Sequence, residues 1–435
     1  MLKTLRWTLA QLAQLTIARF RPGIVGVTGS VGKTSTKLAI EAALGRERRV
    51  RASRGNLNND LGLPLAILGD WSDSELKLIS RDTPAHTARV RKLFFWCKVI
   101  IVSFFRALFG SRSEYPEILV LEYGADRPGD LRYLLGIARP NISVITAVGD
   151  IPVHVEFFAG PEEVAREKSR LIEHLPVAGF AILNYDDATV MDLKEKTRAH
   201  VMTFGFGKGA EIRITGFENR SEEGPLRRSV SEASRPAGIA FKLEYGGSFV
   251  PVRLDKVFGR AQAYAAAAAA AVGFVFGMNL VRISDALRSA YKPAHGRMEL
   301  IAGIKYTYII DDSYNSSPYS MHSALDTLKS LPGRRKIAVL GDMLEIGKYA
   351  IEAHERAGRL AAKIADILIT VGPRAKFIAE EAKANGLRRN KIYSFDTAEE
   401  AGRVLQDIMR KGDLVLVKAS RAIGLDKVVE EVKAF

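Results

Sequence analysis

The stretch GVTGSVGKTS, Gly26–Ser35, constrains this chain more than any other. A short apolar run, Ile24–Val27, leads into it, and Lys33–Leu44 follows at helical spacing, so the order is strand, glycine-rich turn, helix. Glycine lets backbone N–H groups close around phosphate oxygens, and the next helix aims its positive end at them. A strict phosphate loop, GxxxxGK[ST], has glycine where Val27 stands. The working part remains: Gly29, Ser30, Gly32, Lys33, Thr34 and Ser35 are the candidate nucleotide-binding set. Lys33 is expected to reach the β- and γ-phosphates and the Thr34 hydroxyl to hold Mg²⁺. The plain alternative is a turn with no ligand, and the loop alone leaves kinase, GTPase, motor and ligase chemistry open.

The rest of the chain alternates in the same way. Glu117–Tyr123 (EILVLEY), Asn141–Val148, Phe180–Asn184 and Val201–Phe206 read as strands. Pro161–Leu175 reads as a helix, with proline at its start and acids in its first turn. Residues 210–257 carry short alternating runs such as GIAFKLEY and are expected to be antiparallel strands appended to the sheet. Gly259–Met278 is a helix with seven consecutive alanines, Ala265–Ala271, smooth enough for another element to approach closely. The alternation restarts after Tyr291-Lys292-Pro293, with strands expected at Tyr306–Ile310, Lys336–Leu340, Ile367–Val371, Lys391–Phe395 and Leu414–Val417. The expected fold is therefore α/β. A P-loop parallel-sheet ATPase domain, residues 23–293, precedes a smaller Rossmann-like C-terminal domain, residues 294–435.

Composition narrows the partners. Lys plus Arg is 64 against 49 Asp plus Glu, a formal charge of +15, which favours an anionic partner. Hydrophobic content of 47% with 26% charged residues excludes a disordered chain and a multi-span membrane protein. A single cysteine, Cys97, excludes an internal disulfide and a Cys-rich metal site, which fits the cytoplasm. There is no RNA- or DNA-binding motif, so nucleic acid is not an expected partner.

Two apolar segments stand apart. Residues 1–22 read as an amphipathic helix with Leu2, Leu5, Leu9 and Leu12 on one side, ended by Pro22-Gly23, and not as a secretion signal. It either packs on the core or lies on a membrane surface. Leu93–Phe109, LFFWCKVIIVSFFRALF, sits inside a basic insert, residues 89–112, with Arg89, Arg91, Lys92, Lys98, Arg106 and Arg112. It is too short and too charged to span comfortably. It suits a helix in a bilayer interface, peripheral at the inner face of the membrane, while a buried helix or a dimer contact is the alternative. The oligomeric state is not legible.

Several segments in order resemble one family. TGSVGKTS, then NLNNDLGLPLAIL (Asn56–Leu68), LEYGADRPGDL (Leu121–Leu131), VHVEFF with Glu167-Lys168, GRME (Gly296–Glu299), DDSYNSSP (Asp311–Pro318), LGDMLEIG (Leu340–Gly347) and KASRAIGLDKVVE (Lys418–Glu430) resemble motifs of the Mur ligases, the ATP-dependent amide ligases of peptidoglycan synthesis. DDSYNSSP and LGDMLEIG are most similar to the branch that adds D-Ala-D-Ala to a muramoyl peptide. The resemblance implies an ADP-forming acid–D-amino-acid ligase that uses ATP and Mg²⁺, acts on those two small molecules and works through an acyl phosphate. It implies that Glu122 and His154 serve the metal with Thr34, and that Lys168 is the lysine carbamylated in many members to give a metal-bridging carboxylate. It implies that Arg297 and Asp312 close over ATP, Arg297 at phosphate and Asp312 at the ribose or a cation. Asn315 and Ser316 fall near the incoming amine, and Asn56, Asn58 and Asn59 fall in a substrate-side segment.

Three departures stand beside that match. The family's N-terminal domain, which binds the UDP part of the substrate, has no counterpart ahead of Gly23, so the expectation is a protein without it, with a lipid-linked acceptor as an alternative to a UDP-linked one. A segment with one histidine and two asparagines that holds ATP reads GRAQAYA, with Ala261, Gln262 and Ala265 in their places; Gln262 is expected to keep one contact. TAVG carries Ala147 for asparagine, with two residues inserted before His154. The alternatives are an amide ligase for a poly-amino-acid substrate and a non-catalytic nucleotide-binding partner.

Overall fold

The computed structural model describes residues 2–79, 89–222 and 235–434. Two sheets organise it. The larger has nine strands: β1 (Gly23–Thr28), β2 (Val50–Ala52), β3 (Ile118–Glu122), β4 (Ile142–Ile145), β5 (Phe180–Asn184), β6 (His200–Gly205), β7 (Ile212–Glu222), β8 (Arg235–Tyr245) and β9 (Ser248–Asp255). Their order is β2-β3-β1-β4-β5-β6-β7-β8-β9. The first seven pair in parallel, and β1, β3, β4 and β5 are almost unbroken apolar runs, as strands buried on both faces must be. The β7–β8–β9 meander is antiparallel and continues the same sheet, joined through only two register pairs between β6 and β7. Residues 223–234 of the expected antiparallel segment lie outside the described residues.

The second sheet has six strands: β10 (Glu299–Gly303), β11 (Thr307–Asp312), β12 (Lys336–Gly341), β13 (Ile367–Val371), β14 (Ile392–Phe395) and β15 (Leu414–Lys418), in the order β10-β11-β15-β12-β13-β14. All pairs are parallel except the β10–β11 edge. The α/β class and its two sheets agree with the sequence. Two strands are additional. β2 is three residues long, too short to show a period, and β10 is a half-exposed edge strand within GRMELIAG. The strand expected at Asn141–Val148 ends at Ile145, because Thr146 turns its hydroxyl onto the carbonyls of Val31 and Thr28.

Helices cover both faces. On one face α1 (Leu2–Phe20), α3 (Gly62–Leu68), α4 (Asp73–Ile79) and α5 (Arg89–Phe109) pack with the Asp130–Ile137 helix. α1 buries Leu9, Leu12, Ala13 and Phe20, and Phe20 stacks on Tyr115 with ring centroids 4.4 Å apart. On the other face α2 (Lys33–Leu44) lies against the Arg260–Val275 helix. All seven of its alanines, Ala265–Ala271, are buried, so the smooth helix is wrapped by α2 and by β5–β8 rather than presented at the surface. A leucine there has no free volume. Ala267→Leu is expected to cost about 1–3 kcal/mol through overpacking, read as a lowered urea midpoint; an unchanged midpoint contradicts this packing.

Candidate active site

β1 lies between β3 and β4, and the register sets Val27 beside Glu122. The carboxyl ends of these strands therefore converge where the phosphate loop begins, the usual ligand edge of an open parallel sheet. Gly29 has φ +144°, and a Cβ there would collide with Thr146 Oγ1. Gly32 caps α2 at φ +88°. Ser30 N–H donates to the Ala147 carbonyl at 2.6 Å, so the small Ala147 backs the loop. Ser30 Oγ is buried with no partner among the described residues, and Lys33 Nζ donates to the Gly29 carbonyl at 2.7 Å. A glycine-lined cradle with an unpartnered hydroxyl and an ammonium across its mouth fits a phosphate chain.

Glu122 is the centre of the polar cluster. Its Oε2 accepts from Thr34 Oγ1 at 3.0 Å and lies 3.2 Å from Lys37 Nζ, while Oε1 accepts from Asn58 Nδ2 at 3.1 Å. Burial by itself would raise this carboxyl; Lys37, Lys33 and Arg297 overcome it and hold it at about 2. Burial lowers the Lys33 and Lys37 ammoniums, and the Glu122 charge opposes that shift. Hydroxyl and carboxylate oxygens here suit a hard divalent cation. Lys168, on the Pro161–Glu173 helix, is buried and lowered to about 7, first by burial and then by the Lys33 charge. Its neighbour Glu167 instead ties down the Leu131 N–H and Arg170.

The second sheet supplies the other wall. His154, at φ +69°, has Nε2 3.3 Å from Asp126 Oδ1 and Nδ1 2.7 Å from Glu345 Oε2 of the C-terminal half. Arg297 stacks over the Tyr314 ring at 4.3 Å, and its charge acts on Lys33, Lys37 and Glu122 across the gap. Asp312 Oδ2 accepts from Lys418 Nζ at 2.6 Å; burial raises this carboxyl although Lys418 opposes it. Lys418 also donates to the Asn315 carbonyl at 2.9 Å, and the buried Ser316 Oγ has no partner among the described residues.

One expectation meets a different geometry. Gln262 is spent within the protein: Nε2 donates to the Arg297 carbonyl at 3.1 Å and Oε1 accepts from Tyr291. It ties the Arg297 backbone to this helix, with one hydrogen bond made at each end of the amide. Of the three asparagines, Asn58 reaches Glu122, Asn59 Oδ1 closes the turn onto the N–H groups of Leu61 and Gly62, both of these asparagines line the cleft beside the cluster, and Asn56 is exposed. Residues that sequence reasoning passed over are Lys37, Asp126, Glu345 and Lys418. Lys37 had a readable signal, since it lies four residues after Lys33 on one helix face. Beside this cluster a cleft of about 850 Å³ runs between α1 (Lys3, Arg6, Trp7) and Arg127, with His154 and Glu345 also lining it.

Comparison with known proteins places the fold in a family. The Mur ligase middle domain matches residues 105–273, and the Mur ligase glutamate ligase domain matches residues 296–421. The UDP-N-acetylmuramoyl-tripeptide–D-alanyl-D-alanine ligase of Mycobacterium bovis is 31% identical over 98% of this chain and 76% of its own length. The enzyme of that name from Bacillus subtilis is 29% identical over 98% of this chain and 79% of its own length. Among solved structures, MurF of Acinetobacter baumannii superposes with TM-score 0.75 at 26% identity, covering 98% of this chain and 80% of that one. MurF of Thermotoga maritima in complex with ADP superposes with TM-score 0.73 at 27% identity, covering 98% and 83%. With a relative this similar over nearly all of its residues, the chain belongs to the Mur ligase family.

Proposed function

We propose that this protein is an ATP-dependent, ADP-forming ligase of peptidoglycan precursor synthesis that joins D-Ala-D-Ala to the terminal carboxylate of a muramoyl peptide. The observation that carries the reading is the buried Glu122 kept ionised among Thr34, Lys33 and Lys37 at the mouth of a phosphate loop. Residues 23–293 act as the ATPase unit and residues 294–435 as the unit that closes on it. ATP and Mg²⁺ are the cofactors.

The loop N–H groups, Ser30 Oγ and Lys33 hold the β- and γ-phosphates, and Arg297 faces the same charge from the other half. Thr34, Glu122 and His154 would hold Mg²⁺, which would neutralise charge on the transferred phosphoryl group. An acceptor carboxylate oxygen attacks the γ-phosphorus, the bond to ADP breaks, and an acyl phosphate forms. The amine of D-Ala-D-Ala then attacks the acyl carbon, phosphate leaves, and the amine gives up its proton. Asn315 and Ser316 lie on the amine side, where the unpartnered Ser316 hydroxyl is available to a peptide ligand. Arg297, held by Gln262, and Asp312, held by Lys418, close the site and exclude water from the acyl phosphate. The cleft walled by α1 supports an acceptor lying between Trp7 and Arg127 with its carboxylate toward His154. We read the enzyme as one of the cytoplasm, peripheral to the membrane's inner face.

Lys168 has a chemical reason to be carbamylated. An amine lowered to about 7 is substantially neutral at neutral pH, and only the neutral amine adds to carbon dioxide, forming an N–C bond and releasing a proton. The carbamate so formed faces the Lys33 cation.

With ATP, Mg²⁺ and D-Ala-D-Ala, phosphate release is expected with a muramoyl tripeptide acceptor, UDP-linked or lipid-linked. Silence with both contradicts the reading and favours a non-catalytic partner. Lys33→Ala and Glu122→Gln are each expected to lower kcat by about 10²-fold or more, with the folded circular dichroism spectrum kept. Because the Lys168 amine is lowered to about 7, its protonated fraction grows as pH falls below that value, so kcat/KM should fall on that side. A ¹³C-bicarbonate NMR carbamate signal should fade over the same range and be absent in Lys168→Arg. A signal that persists at low pH, or none at any pH, contradicts carbamylation.

A further inference from the structure

We propose that α5, with α1 beside it, is a docking surface for the interface of an anionic lipid bilayer. α5 is 21 residues long, about 30 Å at helical rise. One side, Phe95, Val99 and Ser103, is buried in the protein. The opposite side carries Val90, Leu93, Phe94, Ile101, Phe105 and Leu108, each between 51 and 72% exposed. Positions 90, 94, 101, 105 and 108 recur on one helical face, so this is a continuous apolar ridge and not scattered surface leucines.

The charges inside the helix do not interrupt the ridge. Lys98 Nζ pairs with Glu75 Oε1 at 2.6 Å, and Arg106 Nη1 donates to the Leu68 carbonyl at 2.6 Å, so both turn toward the body of the protein. No helix among the described residues is long and apolar enough to cross a membrane, which leaves the ridge to lie along a surface. Residues 89–112 hold six Lys or Arg and no Asp or Glu, and residues 1–22 hold four and none. Arg19, Arg21, Arg91 and Arg112 are exposed around the ridge. A predominantly basic rim around an apolar face complements anionic headgroups over acyl chains. A second copy of the chain would set two basic rims against each other, which disfavours a symmetric dimer here.

The consequence for the reaction rests on the proposed ligase reading. α1 packs against α5, and its Lys3, Arg6 and Trp7 line the acceptor cleft. A protein docked through α5 therefore holds that cleft beside the bilayer, within reach of an acceptor carried on a lipid.

The test is co-sedimentation of the full chain with vesicles of phosphatidylcholine alone and of phosphatidylcholine mixed with phosphatidylglycerol. Binding is expected only with the anionic vesicles, weakened by salt, and reduced at least tenfold in the triple variant Phe94→Ser, Ile101→Ser, Phe105→Ser. All three side chains are exposed, so the triple variant should keep its fold and its turnover of a soluble acceptor. Absence of binding to anionic vesicles overturns the proposal, as does binding the triple variant leaves undiminished. A dimer in sedimentation velocity that the triple variant dissolves, without vesicle binding, also overturns it and makes the ridge a self-interface. Loss of vesicle binding with intact turnover fails this surface and spares the ligase; vesicle binding without turnover on any acceptor does the reverse.

Discussion

A carboxylate buried at the end of a central strand stays ionised only if cations are buried with it. Glu122 meets that condition through Lys37, which is itself fully buried, and through the charges of Lys33 and Arg297. The two lysines come from α2, one turn apart, and α2 is placed by the glycine turn that ends β1. The carboxylate comes from β3, the strand next to β1. The phosphate loop, the sheet order and the charge state of the site are thus one constraint. Removing Lys37 takes away the cation in contact with the buried Glu122, and removing Glu122 leaves the buried Lys37 without its counter-charge.

The second half of the molecule completes the cluster rather than standing apart from it. Gln262 of the alanine-rich helix donates to the Arg297 carbonyl, so the same helix that fills the core of the large sheet also holds the segment whose cation acts on Glu122. His154 lies between Asp126 of one half and Glu345 of the other. Asp312, Lys418 and Asn315 form a second cation–carboxylate group on the facing sheet. Charge distributed across a gap in this way suits a reaction that must exclude water while an acyl phosphate exists.

What the sequence made legible was local. The phosphate loop, the span of α2 and the strand that carries Glu122 follow from a few adjacent residues and a clear period. Glu345 and Asp126 escaped notice because nothing near them in sequence signals the partner; only the approach of two halves creates the pair. Gln262 was expected at the nucleotide because of its place in a motif, but the loss of the neighbouring polar residues to Ala261 and Ala265 left it bonded to Arg297 and Tyr291. α5 shows a third limit. Its composition allowed a buried helix as well as a surface one, and burial of one side alone becomes visible only when α1, α3 and α4 are in place. β2 and β10 were missed because three residues and a half-exposed edge carry too little pattern.

The most direct test of the account is the fate of acceptor oxygen. A muramoyl tripeptide labelled with ¹⁸O in its terminal carboxylate is turned over with unlabelled ATP and D-Ala-D-Ala, and the released phosphate is weighed by mass spectrometry. Passage through an acyl phosphate predicts one ¹⁸O transferred to each phosphate released. Phosphate that carries no label while product forms would contradict the mechanism built around Glu122, Lys33 and Arg297.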